Sequence, residues 1–292
     1  MLGLWLQQLL NGVMIGSVYA LVAIGLTMVY GILRILHFAH GAVYTLAAYV
    51  AVGLLLAHVP LWAAVPLAMA AAAAVGVAIE YVLYRPARGA SPLVPLISGV
   101  ALYFLAEDLF RHVAGAYSRP FPVGAEPAMY LIGPVLVSST QVLIFALVAA
   151  LVAALGLLIG RTRVGLAMQA IAEDPTIAAS CGIEVNRIVS ANFALGSALA
   201  GAAGVLIGLY FNSVSPAMGL SAVEKAFAVV ILGGLGSIAG SVVAAMLLGV
   251  AESLVVGFLD LPVARDAMAF ILLLLILIVR PQGIFGFRVS KV

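Results

Sequence analysis

Few residues in this 292-residue sequence carry side chains able to do chemistry. Thirteen Lys and Arg, eleven Asp and Glu, four His and one Cys leave a formal charge of only +2. The tightest grouping is His37-x-x-His40, followed at once by Gly41. On a helix that spacing sets two imidazoles on one face, suited to holding a metal or relaying a proton. No Cys or carboxylate lies within the same turn, and Arg34 one turn back opposes a cation. A structural or path-lining role is therefore expected for His37 and His40, and no metal site is assigned. Glu80 and Glu252 lie in or near apolar runs, where carboxylates are functional candidates. Glu80 precedes Arg85 by five residues and is expected to pair with it at an interface, whereas Glu252 leaves an interior position open. H-E-x-x-H, G-x-S-x-G and G-x-x-x-x-G-K-[ST] are all missing. No catalytic residue or cofactor is assigned, and any ATP must be hydrolysed by another subunit.

What must position these residues is membrane-embedded helix. The chain is 65% hydrophobic and 8% charged, with a mean hydropathy of +1.27. Soluble domains are about one quarter charged, so a soluble fold is excluded. The low net charge points to no nucleic-acid partner. The single Cys181 has no internal disulfide partner. The opening MLGLWLQQLLNG lacks a basic leader and cleavage site and reads as the start of a span. Apolar runs cover approximately 9–33, 41–58, 61–84, 93–110, 139–160, 188–212, 224–258 and 266–280. Crossing hydrocarbon takes about 20 helical residues, and runs as rich in Ala and Gly as AMAAAAAVGVA suit close helix packing rather than barrel strands. Gly201 and Gly204, with Ala198 and Ala202, form one such packing face.

The fold expected is all-α, a polytopic integral membrane helical bundle with broken or re-entrant helices, in one domain over 1–292. One break falls in VVILGGLGSIAGSVV, where Gly233, Gly234, Gly236 and Gly240 are too many for a straight helix. Residues 224–258 are therefore predicted to form two short helices with an unwound joint. A second break falls at LHFAHG, and both breaks lead into small-residue helices, at Gly41 and Gly240. Paired breaks of this kind point to a transport path, with His37, Phe38, His40, Gly41, Gly233, Gly234, Gly236, Ser237 and Gly240 as its candidates. Packed kinks are the alternative.

Basic residues set the orientation. Arg34, Arg85, Arg88, Arg161, Arg163, Arg187, Arg280, Arg288 and Lys291 fall on one set of connections, and Arg111, Arg119, Lys225 and Arg265 on the other. The richer set is placed in the cytoplasm. On that side lies 161–190, the most polar stretch of the chain, predicted to hold one short capped helix. Asp174 supplies the N-cap, Pro175 the first helical position and Gly182 the left-handed close. So short a helix is not stable alone and should pack against something.

The stretch AIAEDPTIAASCGI resembles the coupling segment of permeases in bacterial ABC importers, where an E-A-A…G pattern docks on the cytosolic ATPase. The matching positions are Glu173, Ala178, Ala179 and Gly182, and the coupling set implied is these with Asp174, Pro175 and Ile183. LHFAHG resembles the N-F-A-H-G-E motif of branched-chain amino acid permeases, with His37 in place of Asn and Ala42 in place of Glu. NGVMIGSVYALVAIGLTMVYGI, VLYRPAR, LGGLGSIAG with AESL after it, and RPQGIFG extend the resemblance over nearly the whole chain. It is most similar to the LivH-type permease of branched-chain amino acid importers. That resemblance implies a plasma (inner) membrane subunit working with a second homologous permease, two cytosolic ATPases and a periplasmic or extracellular substrate-binding protein. The 111–138 connection, rich in Pro and Gly, is expected to be a plain external loop, with reception of the binding protein as the alternative. Relatives of this type are also associated with urea, amides and aromatic acids. A stand-alone secondary transporter or channel is the competing class, and it would need more charge deep in the spans.

Overall fold

The computed structural model describes residues 2–122, 128–259, 265–280 and 283–285. Its helices are α1 (Leu2–Leu33), α2 (His40–Leu56), α3 (Leu61–Ile79), α4 (Leu93–Ala114), α5 (Ser139–Arg161), α6 (Arg163–Glu173), α7 (Pro175–Ser180), α8 (Val185–Phe211), α9 (Met218–Gly233), α10 (Ile238–Leu259) and α11 (Arg265–Val279). One π-helical turn, Glu80–Tyr84, continues α3. Among the described residues, six helices are long and apolar enough to cross a membrane, and α2 is a shorter apolar helix. The all-α bundle expected from composition is what the chain adopts.

Small residues decide how the centre packs. Helix α1 lies along α10 through Gly12, Gly16 and Gly249, where any added Cβ would run into the facing backbone. On α8, Gly201 sits against Ala47 of α2 and Ala72 of α3, and Gly204 against the Tyr44 carbonyl. Such close backbone approach is the main packing device available where lipid removes the hydrophobic drive between helices. Hydroxyls add to it: Thr27 of α1 meets Ser241 of α10 at 2.7 Å.

Residues 224–258 do not form one span. Helix α9 stops at Gly233, Gly234 and Gly236 take φ of +101° and +86°, and α10 restarts at Ile238. Ser237 reopens the helix by accepting from the Gly240 N–H at 3.0 Å. The last carbonyls of α9 are met from afar, since the Ile284 and Phe285 N–H groups donate to the carbonyls of Leu232 and Gly233 at 2.8 and 3.0 Å.

Several expectations need correction. Lys225 does not lie in a connection, because α9 begins at Met218 and carries it into the interior. His37 and His40 do not share a helical face, because His37 precedes α2 and His40 is its first residue. The 161–190 stretch holds a second helix, α6, started by Thr162, whose hydroxyl accepts from the Gly165 N–H at 3.0 Å. The 111–138 connection is not all loop: β2 (Met129–Ile132) and β3 (Val135–Ser138) form a hairpin, and β1 (Arg119–Pro120) pairs with β4 (Ser213–Val214). Gln7 of α1 fastens that hairpin by hydrogen bonds to both backbone groups of Leu136. Arg288 and Lys291 lie outside the described residues.

Candidate functional site

The segment around α7 is built as its punctuation dictates. Asp174 is extended and its Oδ1 accepts from the N–H groups of Thr176 (2.7 Å) and Ile177 (3.0 Å). Those two bonds stabilise the ionised carboxyl and hold its pKa below the ordinary Asp range. Gly182 has φ +83° and donates to Ala179, while Ile183 donates to Ala178 at 3.2 Å. This is the Schellman close, and a Cβ at Gly182 would be strained there even though the space is open. The result is a rigid projection only about 9 Å long.

The two alanines of the segment differ in role. Ala178 is buried against the body of the protein, whereas Ala179 faces outward with Glu173, Pro175, Ile177 and Gly182. Asp174 and Ile183 are half-buried at the hinges. Ile177 is 65% exposed on a helix of six residues, which is an apolar side chain presented rather than stored. Behind α7 lies a cleft of about 410 Å³ between Arg34, Tyr84, Arg88, Pro95, Ile171 and Pro175. The cleft thus lies between α7, the ends of α1 and α3, and the start of α4.

Beside that cleft sits a charge cluster. Glu80 is fully buried at the start of the π turn and is bound by Arg85 (Nη2–Oε2 3.0 Å) and Arg88. Ser190 of α8 donates to the same carboxylate at 2.8 Å and accepts from Arg85 at 2.8 Å, while Arg88 reaches Asn186 at 2.6 Å. The pairing of Glu80 with Arg85 is legible from their spacing. The parts of Ser190 and Asn186 are not, because α8 arrives from a hundred residues away. The cluster joins the end of α3 to the helix that directly follows α7.

The two breaks occupy different levels. After Leu33 the chain turns back along α1, so that His40 Nε2 donates to the Val22 carbonyl at 3.3 Å. The return covers on the order of 15 Å of α1. His37 and His40 are both buried, with ring centres 5.5 Å apart, and His37 Nδ1 meets the Tyr84 hydroxyl at 2.9 Å. Phe38 packs on Phe227 of α9 at 4.7 Å between ring centres, and Gly41 lies against the backbone of Gly219. Gly233, Gly234 and Gly240 are buried at the other break, Ser237 is half-buried, and Gly236 borders a separate space of about 130 Å³ with Gly31, Ile159 and Gln169. Helix α9 connects the two levels. Among the described residues, no group of three His, Cys, Asp or Glu is placed to hold a metal.

Residues 8–279 match the family described as branched-chain amino acid transport system / permease component. The chain belongs to that family. This permease is 38% identical over 296 residues to the high-affinity branched-chain amino acid transport system permease protein BraD of Pseudomonas aeruginosa, covering 97% of this chain and 96% of that protein. It is 35% identical to the corresponding permease protein LivH of Escherichia coli, with the same coverage. It is also 28% identical to the E. coli permease protein LivM, over 91% of this chain and 67% of that one. Among solved structures, a chain of PsaBC from Streptococcus pneumoniae in complex with Fab matches 94% of this permease and 92% of its own length, with a TM-score of 0.53. At 10% identity that likeness shows the fold alone. The permease is thus a multi-pass membrane transport component, and its relatives are transport subunits, not enzymes.

One site residue has no counterpart in the motifs. Lys225 on α9 pairs with Glu252 on α10, both deep in the interior, at 3.1 Å. Sequence reasoning missed the pair because it began α9 too late. The signal was present: a lysine and a glutamate in the single run 224–258, 27 residues apart on the two sides of the glycine joint, where the chain reverses.

Proposed function

We propose that this chain is the membrane-embedded permease subunit of an ATP-driven importer of branched-chain amino acids in the cell inner (plasma) membrane. It works with a second homologous permease subunit, two cytosolic ATPase subunits and a periplasmic or extracellular substrate-binding protein. The observation that carries the reading is the similarity of 35–38% over 97% of the chain to permeases of branched-chain amino acid systems. The further similarity to LivM supports pairing with a related permease rather than solitary work.

Coupling runs through α7. The helix is fixed at both ends by Asp174 and Gly182, and it presents Ile177, Pro175 and Ala179 outward. A cytosolic ATPase that closes on ATP grips this projection and displaces it against the cleft behind. Arg34, Arg85, Arg88, Arg161, Arg163, Arg187 and Arg280 gather at the α7 end of the bundle, whereas Arg111 and Arg119 lie towards the hairpin, which supports a cytosolic α7. The path candidates at 37–41, which pack on α9, and at 233–240, which follow it, are then the two bends that shift between outward- and inward-facing states.

The test is uptake of radiolabelled L-leucine in cells lacking their own systems and supplied with this permease and its partner subunits. Asp174→Arg and Gly182→Leu are expected to lower uptake at least tenfold while ATP hydrolysis continues and the permease remains in the membrane. Leucine transport by the purified chain alone, unaffected by those substitutions, would establish the secondary-transporter class instead.

A further inference from the structure

Three helices bring opposite charges together in the apolar interior. The Lys225 ammonium on α9 lies 3.1 Å from Glu252 Oε1 and 3.3 Å from Oε2 on α10. It also donates to the Tyr19 hydroxyl of α1 at 2.9 Å, and that hydroxyl donates to Glu252 Oε2 at 2.9 Å. The Lys225 and Glu252 side chains are 7% and 1% exposed. Stability does not account for such a pair, since a buried ion pair often does no better than apolar residues of like volume. Within a membrane the cost of each charge rises further, which makes a functional role the default expectation.

The surroundings of the pair suggest what that role is. On its Lys225 side is a cavity of about 370 Å³, within the ~300–1,000 Å³ usual for small-molecule sites. Its polar edge is Tyr19, Ser221 and Lys225, and Ile207, Phe211 and Met218 belong to its apolar wall. Glu252 instead lines a smaller space of about 70 Å³ on the far side. A paired cation at the polar edge of a chamber that also has an apolar wall fits a solute with a carboxylate head and an aliphatic tail.

We propose that this cavity is a transit subsite in which the Lys225 ammonium receives the carboxylate of an aliphatic amino acid, with Glu252 and Tyr19 as positioning residues. The inference rests on the amino-acid import reading above and assigns that path a place where the head group is recognised. Glu252 aims the ammonium from the far side and Tyr19 from the edge of the cavity. The carboxylate exchanges hydration for the ammonium, and the side chain settles on the apolar wall.

The assembled transporter without its binding protein, held in lipid nanodiscs, is tested for binding of radiolabelled L-leucine. Wild-type binding is expected to be displaced by 4-methylpentanoate, which keeps the carboxylate, and not by 3-methylbutylamine, which lacks it. Lys225→Met should abolish binding and cut uptake in cells at least tenfold, without changing the half-saturating leucine concentration set by the external binding protein. Lys225→Arg should retain most of both. The exchange Lys225→Glu with Glu252→Lys controls for folding: it should restore the amount of protein in the membrane but not leucine binding. Full recovery of binding and uptake by the exchanged pair, or equal displacement by the amine, overturns the proposal and leaves a structural ion pair. Wild-type cells that import some other solute but no leucine overturn the import reading itself, independently of the variants.

Discussion

Glu80→Gln removes one charge and preserves shape, which makes its effect calculable. The lost carboxylate receives from Arg85, Arg88 and Ser190, and it is fully buried. Hydrogen bonds to charged groups are worth about 1.5–3 kcal/mol each, and breaking a fully buried pair costs about 3–5 kcal/mol. The two guanidiniums, however, are 31% and 26% exposed, so water takes over part of what the carboxylate supplied. Glutamine still accepts from Ser190. The net cost is therefore about 2–3 kcal/mol, which corresponds to a fall on the order of 5 °C in apparent Tm. The assay is thermal unfolding of the purified permease in lipid nanodiscs, followed by tryptophan fluorescence. The asymmetry in exposure gives a second, stricter expectation. Removing both arginines as Arg85→Met with Arg88→Met strands a buried carboxylate that water cannot reach, and it should lower Tm further than Glu80→Gln does. A Tm unchanged by Glu80→Gln, or a double arginine variant more stable than the glutamine variant, refutes the reasoning.

Gly219→Ala places a Cβ on the Gly41 carbonyl oxygen where α2 and α9 meet. Overpacking of this kind costs about 1–3 kcal/mol, to be read as a lowered Tm in the same nanodisc assay. Gly53→Ala, with open space around the new methyl, should leave Tm within error. Asp174 supplies a pH expectation. Its folded pKa lies below the unfolded value, so the cap contributes fully above the unfolded Asp range and is lost as pH falls through the folded pKa. Amide exchange at Thr176 and Ile177 should hence show constant protection from neutral pH down to the carboxylate range, then lose it, and Asp174→Ala should remove it at every pH.

Residues with local consequences were readable from sequence. Asp174, Pro175 and Gly182 each impose a backbone state within a residue or two, so the ends of α7 follow from their identities. The same holds for the joint at Gly234–Ser237, where glycine is the only economical choice for two positive φ values. What could not be read depends on which helices become neighbours. Ser190 is an ordinary polar residue until α8 sets it on Glu80, and the partner of His40 Nε2, the Val22 carbonyl, is given only by the return of the chain along α1. Lys225 counts with the connections in the sequence because the apolar run begins only at 224, whereas α9 begins at Met218, where Gly219 meets Gly41 of α2. The outward face of Ile177 and the inward face of Ala178 likewise depend on where α6 lies, a helix with no strong start signal beyond Thr162.

The backbone bonds from Ile284 and Phe285 to Leu232 and Gly233 carry a practical consequence. Trimming the polypeptide from its far end is not a peripheral change, because deletion past Phe285 strips two donors from the joint between α9 and α10. A nested series of stop codons should show an abrupt loss of function there rather than a gradual decline.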